Sequence, residues 1–224
     1  MVTRGETDGE LMLRLDGTRP LSATSVEEMD DLCDHAEDHR EPGPVTLHVT
    51  GVPPADWCTE LTLGLLSKWE RAVRRFERLS RLTVAVASGD CAGTALDVLL
   101  AADVRIVAPG TRLLLPRTGG ATWPGMTVHR LTQQAGAAAI RQAVLLGTPI
   151  TTDRALALNL IDEVTDDPAT TLAHLAEAAG AVDGTELAIR RQLIFEAAST
   201  AFEDALGRHL AACDRALRRT GPSA

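Results

Sequence analysis

The hydrophobic positions of this chain change period several times, and each change marks an element. Leu11, Leu13 and Leu15 recur every second residue, the period of a strand, and Asp16-Gly17 closes it. After Pro20, Val26, Met29, Leu32 and Cys33 fall at helical spacing, with Ser25 and Glu28 as a capping box. Glu41-Pro42-Gly43-Pro44 reads as a loop before a second strand, 45–49. Leu61, Leu65, Leu66, Trp69, Val73 and Phe76 define one long amphipathic helix from about 60 to 79.

A third strand, 83–87, runs into Ser88-Gly89, and a helix is expected to begin almost at once. Such a corner gathers free backbone N–H groups at the positive end of a helix dipole, where an oxyanion is stabilised. It is also a common corner of α/β proteins, and fold geometry alone does not assign a function. Short strands at 104–107 and 113–115 follow, and Thr118-Gly119-Gly120 reads as loop. A helix from about 128 to 145 breaks near Gly136, and Gly147 and Pro149 stop it. A short helix from Thr152 leads to a strand over 160–164.

Beyond Asp166-Asp167-Pro168 the pattern is helical throughout. Strands alternating with helices predict an α/β fold. The pattern divides into a core over 10–165 and a helical region over 166–220, which must pack on the core or on another subunit.

The chain's 224 residues and 45% hydrophobic content suit a globular protein with a sizeable core. Its net charge of −9 argues against nucleic-acid binding. No apolar run approaches a membrane span, and residues 1–8 lack the apolar segment of a signal peptide, so a cytoplasmic protein is expected. Lys68 is the sole lysine. An arginine bias suits phosphate recognition and equally suits a G- and C-rich genome. The four scattered cysteines are expected to be reduced. His35 and His39 share a helical face near Cys33, but their charged neighbours favour a solvated face over a metal site.

Taken in order, the motifs resemble the crotonase (enoyl-CoA hydratase/isomerase) family. Ala85-Val86-Ala87-Ser88-Gly89 through Leu100-Ala101-Ala102-Asp103 is similar to that family's central signature. Leu114-Leu115-Pro116-Arg117, Trp123-Pro124-Gly125, His129-Arg130-Leu131 and residues 145–150 and 155–164 then fall where further family motifs stand. The resemblance implies a crotonase-like spiral of β-β-α turns and a C-terminal helical region that drives assembly into a homotrimer or a dimer of trimers. It also implies an acyl-CoA thioester as ligand, with coenzyme A carried by the substrate and no permanently bound cofactor or metal. The backbone N–H groups of Cys91 and Leu114 fall at the two oxyanion-hole positions. The loop that faces the CoA adenine falls near Cys58, Thr59, Glu60 and Leu61.

The departures matter more for function. The family's two glutamates exchange protons with substrate and water. Their positions hold Arg117 and Gln142 here. Arg stays protonated and Gln does not titrate, so that pair cannot run standard hydratase chemistry. Arg117 is read either as a clamp for an acidic intermediate or as a structural ion-pair former. Gln142 either orients a substrate oxygen or faces a neighbouring subunit.

Cys91 is read as a small residue beside a backbone donor rather than a nucleophile. Asp90 is read as a solvated turn carboxylate rather than a base. His129 is expected to pack at a helix start, and Trp123 either lines an acyl pocket or plugs a turn. Arg215, Arg218 and Arg219 are expected on a solvated face rather than on CoA phosphates.

Within the family, residues 16–22, 87–91, 120–126 and 186–193 resemble a small accessory branch of 3,5-dihydroxyphenylglycine biosynthesis in glycopeptide-antibiotic pathways. That branch implies assistance to a type III polyketide synthase, beside a second crotonase-like protein. The step implied is dehydration and aromatisation of a polyketidyl-CoA to 3,5-dihydroxyphenylacetyl-CoA. A non-catalytic partner subunit is the competing expectation.

Overall fold

A computed structural model describes residues 11–39 and 43–220. The first half alternates strand and helix: β1 (Leu11–Asp16), α1 (Ala23–Asp38), β2 (Val45–Gly51), α2 (Leu63–Phe76), β3 (Thr83–Ala92), α3 (Thr94–Ala101) and β4 (Val104–Val107). Next come β5 (Arg112–Leu114), a two-stranded hairpin of β6 (Arg117–Thr118) and β7 (Ala121–Thr122), α4 (Met126–Ala135) and α5 (Ala137–Leu146). The chain continues through β8 (Ile150–Thr151), α6 (Thr152–Ala157), β9 (Glu163–Val164), α7 (Pro168–Gly180), α8 (Gly184–Ala197) and α9 (Phe202–Thr220). Among the described residues no helix is long and apolar enough to cross a membrane.

Strands β1-β2-β3-β4-β9 form a parallel sheet in that order. The main core lies between this sheet and α1–α5, with Trp69, Phe76, Met29, Leu96 and Leu99 fully buried. A smaller cluster on the opposite face packs Val84, Val86 and Ile106 under Leu172 and Leu175 of α7.

Several boundaries differ from the sequence reading. The first helix is capped one turn earlier than expected, by Ser22, whose side chain accepts from the Ser25 amide in a Ser22/Ser25 capping box. Thr118 to Gly120 is not open loop: Gly119 and Gly120, both at positive φ, turn the β6–β7 hairpin. The strand expected over 160–164 shrinks to Glu163–Val164.

The largest difference is at β3, which does not end at Gly89. Residues 84–87 pair with β4, whereas 90–92 pair with β5. The strand changes neighbours at Gly89, whose φ of +67° favours a residue without Cβ, and the pairing with β2 skips from Thr50–Ser88 to Gly51–Cys91 at the same level. The turn into α3 comes at Gly93, with φ +57°. A Cβ there would stand 3.3 Å from Pro53 Cγ.

Candidate functional site

The change of partner along β3 brings two distant segments together. Cys91 pairs with Leu113 and Ala92 with Leu114, so positions 91 and 114 stand on adjacent parallel strands, one step out of register. Gly93 and Pro116, each two residues further along, both line a cavity of about 370 Å³. Cys91 thus belongs to a strand end rather than to the first turn of a helix. Its thiol is fully buried, and burial, then the nearby Asp97, push its pKa well above the ordinary thiol value. That disfavours the thiolate a nucleophile needs.

All three tryptophans border the cavity. Trp57 and Trp123 meet edge to face, with ring centroids 5.1 Å apart at 84°. Trp57 Nε1 donates to the Arg117 carbonyl at 3.3 Å. Leu21, Leu66 and Met126 add apolar wall. Of the two alternatives for Trp123, the structure supports the cavity wall.

Trp69, from α2, is buried and donates from Nε1 to Asp97 Oδ2 at 3.1 Å. Asp97 Oδ1 accepts from the Thr127 hydroxyl. Burial raises the pKa of Asp97, against the lowering effects of Thr127, Arg130 and Trp69. Two turns beyond Trp69's neighbour Glu70, Glu77 at the C-cap of α2 completes an acidic row. Arg130 reaches both members: Nη1 is 3.0 Å from Glu70 Oε2 and Nε is 2.9 Å from Glu77 Oε1. Arg74 takes the other oxygen of Glu77 at 2.6 Å. Burial, then the charge of Asp97, raise the pKa of Glu70, while Arg130 opposes them. Glu70 and Asp97 both line the cavity.

No sequence motif marks this group. One signal was available: Asp97 is the lone carboxylate among Ala95, Leu96, Val98, Leu99 and Leu100, a position that needs a polar partner supplied from elsewhere.

Arg117 and Gln142, the positions that the resemblance assigns to two glutamates, do not line this cavity. Arg117 is exposed, and its guanidinium donates to the Leu146 carbonyl at 3.1 Å and the Gly120 carbonyl at 2.7 Å. It ties the β6–β7 hairpin to the end of α5 through carbonyls, where the sequence reading offered either a clamp for an intermediate or a structural ion pair. Gln142 is solvent-exposed on α5, as is His129 on α4. Asp90 is held by Arg112 through two contacts of 2.7 and 2.5 Å, which lower its pKa. A carboxylate so engaged is a poor base.

The Cys58–Leu61 segment lies against the β6–β7 hairpin, with Cys58 Sγ 3.3 Å from Thr118 Oγ1. The Thr59 and Leu61 amides close turns on the Asp56 and Cys58 carbonyls, and Glu60 is exposed. In the tail, Arg215 and Arg219 pair with Glu186 at 3.1 and 2.7 Å, and Arg218 pairs with Asp214 at 2.8 Å. Cys33 faces the core, where burial raises its pKa to about 12, whereas His35 Nδ1 lies 2.6 Å from the Asp31 carbonyl oxygen.

Comparison with known proteins agrees with this architecture. Residues 63–221 match the enoyl-CoA hydratase/isomerase family. A protein of Amycolatopsis orientalis named enoyl-CoA-hydratase is 76% identical over 216 residues, spanning 96% of this chain and 100% of the relative. The crystal structure of an enoyl-CoA hydratase/isomerase from Marinobacter aquaeolei is similar with a TM-score of 0.79 at 16% identity, covering 96% of this chain and 90% of that one. An enoyl-CoA hydratase/isomerase family protein from Silicibacter pomeroyi gives 0.77 at 19% identity, covering 94% and 96%. At such identities the structural likeness speaks for the fold, and the sequence matches carry the assignment: the chain belongs to the enoyl-CoA hydratase/isomerase, or crotonase, family.

Proposed function

We propose that this protein binds an acyl-CoA thioester at the paired ends of β3 and β5. The thioester oxygen accepts from the backbone N–H groups of Cys91 and Leu114, which stabilise the enolate form of the acyl group. The observation that carries this reading is the register of Ala92 with Leu114, next to a cavity that both strand ends reach. Tryptophan walls suit a flat, ring-bearing acyl group better than a thin aliphatic chain.

The finer reading is a role beside a type III polyketide synthase. There the protein promotes loss of water and aromatisation of a polyketidyl-CoA on the way to 3,5-dihydroxyphenylacetyl-CoA. The motif resemblance at residues 16–22, 87–91, 120–126 and 186–193 supports it. Assembly as a homotrimer or dimer of trimers belongs to the same proposal. It is supported by Phe202, Leu210 and Leu217, which leave 73%, 58% and 69% of their surface exposed along α9.

Product formation by such a synthase, measured with and without this protein, tests the finer reading. Stimulation is expected, together with its loss in Leu114→Pro, which removes one N–H donor while the fold is checked by circular dichroism. Undiminished stimulation by a folded Leu114→Pro protein sinks the oxyanion role. The competing reading, a non-catalytic partner subunit, is favoured by one observation: Arg117 is spent on backbone carbonyls. It predicts a stable complex with the synthase on size-exclusion chromatography and no binding of acyl-CoA.

A further inference from the structure

The thioester reading leaves a gap, because the corner that polarises the carbonyl has no proton-exchanging side chain at the family's usual positions. The cavity supplies one from another direction. Its walls run from Gly93 and Pro116, beside the two backbone donors, to Glu70 on α2. We propose that Glu70 is the catalytic acid–base of this protein, acting on the α-carbon of a ring-bearing acyl-CoA whose ring lies among Trp57, Trp69 and Trp123. The proposal rests on the thioester reading above.

Charge balance around Glu70 explains why it, rather than a neighbour, has a proton to exchange. Three carboxyl groups, of Glu70, Glu77 and Asp97, face two guanidinium groups, of Arg74 and Arg130. Glu77 holds both cations. Asp97 is buried and occupied by Trp69 and Thr127. It acts as a positioning residue, fixing the indole of Trp69 and setting a negative charge near Glu70. Among the described residues Glu70 is left with one ion-pair partner, Arg130, and its side chain keeps 25% of its surface open. Two neighbouring carboxyl groups in a dry site resist ionising together, so their protons come off at separated pH values. The burial that raises the pKa of Glu70 moves it toward the neutral range, where general acid–base catalysis is most effective.

The step balances with one carboxyl group. Glu70 carboxylate removes a proton from the α-carbon, and the C–H electron pair becomes the enolate held at the Cys91 and Leu114 amides. The enolate then expels the β-hydroxyl. The C–O bond breaks, the α,β double bond forms, and the oxygen takes the proton from Glu70 and leaves as water. Glu70 returns to carboxylate, with no oxidant or second acid consumed.

Phenylacetyl-CoA, which has α-protons and no leaving group, isolates the first half of this step. Exchange of its α-protons in D2O is followed by proton NMR, and its affinity is measured by titration calorimetry. The intact protein is expected to bind it and to accelerate exchange. Glu70→Gln is expected to slow that exchange by ~100-fold and to change affinity by no more than about threefold. Glu70→Asp is expected to recover part of the rate. In the intact protein the rate should rise with pH through a midpoint above the ordinary carboxylate range, a readout that needs no variant. The groups that shape that midpoint are Asp97 on α3, Arg130 on α4, Arg74 on α2, Glu77 at the C-cap of α2, and Arg19 at the cavity rim.

Equal exchange rates in the intact and Glu70→Gln proteins overturn the role of Glu70 and leave the thioester reading standing. So does binding without exchange by the intact protein. Failure of the intact protein to bind phenylacetyl-CoA overturns both.

Discussion

Helices α3 and α9 bury apolar surface in opposite ways. In α3 every residue from Ala95 to Ala101 is buried, although its sequence has little polar face to offer solvent. Sheet, α2 and α4 surround it, so a helix apolar on all sides is satisfied inside one chain. By contrast α9 is strongly two-faced, yet Phe202, Leu206, Leu210 and Leu217 on its apolar stripe stay exposed. A helix in the middle of the chain finds its cover locally, while α9 leaves its apolar stripe uncovered among the described residues.

The means of attachment differ too. Apolar packing holds α3. The tail is pinned largely by ions: Arg191 of α8 is buried and reaches Asp103 and the carbonyls of Leu79 and Arg81. Arg74 of α2 lies over the Phe195 ring, 5.6 Å from its centroid.

The most damaging test of this contrast is Arg191→Ala. It strands Asp103 and two carbonyls at a half-buried junction, and a loss of about 3–5 kcal/mol is expected in urea unfolding. Proteolysis should cut first after the core, in the α7–α9 region. Next comes a pair of substitutions in the two helices. Leu99→Ala should cost ~2–5 kcal/mol, because it leaves a cavity in a packed core. Leu210→Asp should cost the isolated chain almost nothing while reducing the mass seen by light scattering. Equal losses from the two would dissolve the comparison.

The smallest effect concerns Asp97, the one charge inside α3. Its folded pKa is raised, so the stability linked to it is complete below the unfolded pKa and is lost as pH rises through the folded one. Asp97→Asn should therefore flatten the decline in urea midpoint as pH rises above the ordinary carboxylate range.

Local patterns made much of this fold legible. The alternation at Leu11, Leu13 and Leu15 matches β1, and Gly136 separates α4 from α5 as expected. The ordered motifs named the family before any coordinates did. What stayed hidden depended on pairing. Ser88-Gly89 reads as a turn by composition, but β5 is waiting beside β3, so the strand bends and continues. Ser22 caps α1 because its hydroxyl, not that of Ser25, stands opposite the free amide. The site was hidden for a related reason. Trp57 and Trp123 are far apart in sequence, and Glu70, Asp97 and Arg130 come from three helices whose spacing carries no sign of their meeting. Arg117 and Gln142 were legible as departures from the motifs that the chain resembles, while Glu70 was one more charge on an amphipathic helix.

The chain has three tryptophans and no tyrosine. Because Trp57, Trp69 and Trp123 all border the same cavity, nearly all the ultraviolet emission of this protein originates at its candidate site. A molecule entering there would announce itself without a label, a coupled enzyme or a reaction, and emptying the site would restore the original spectrum.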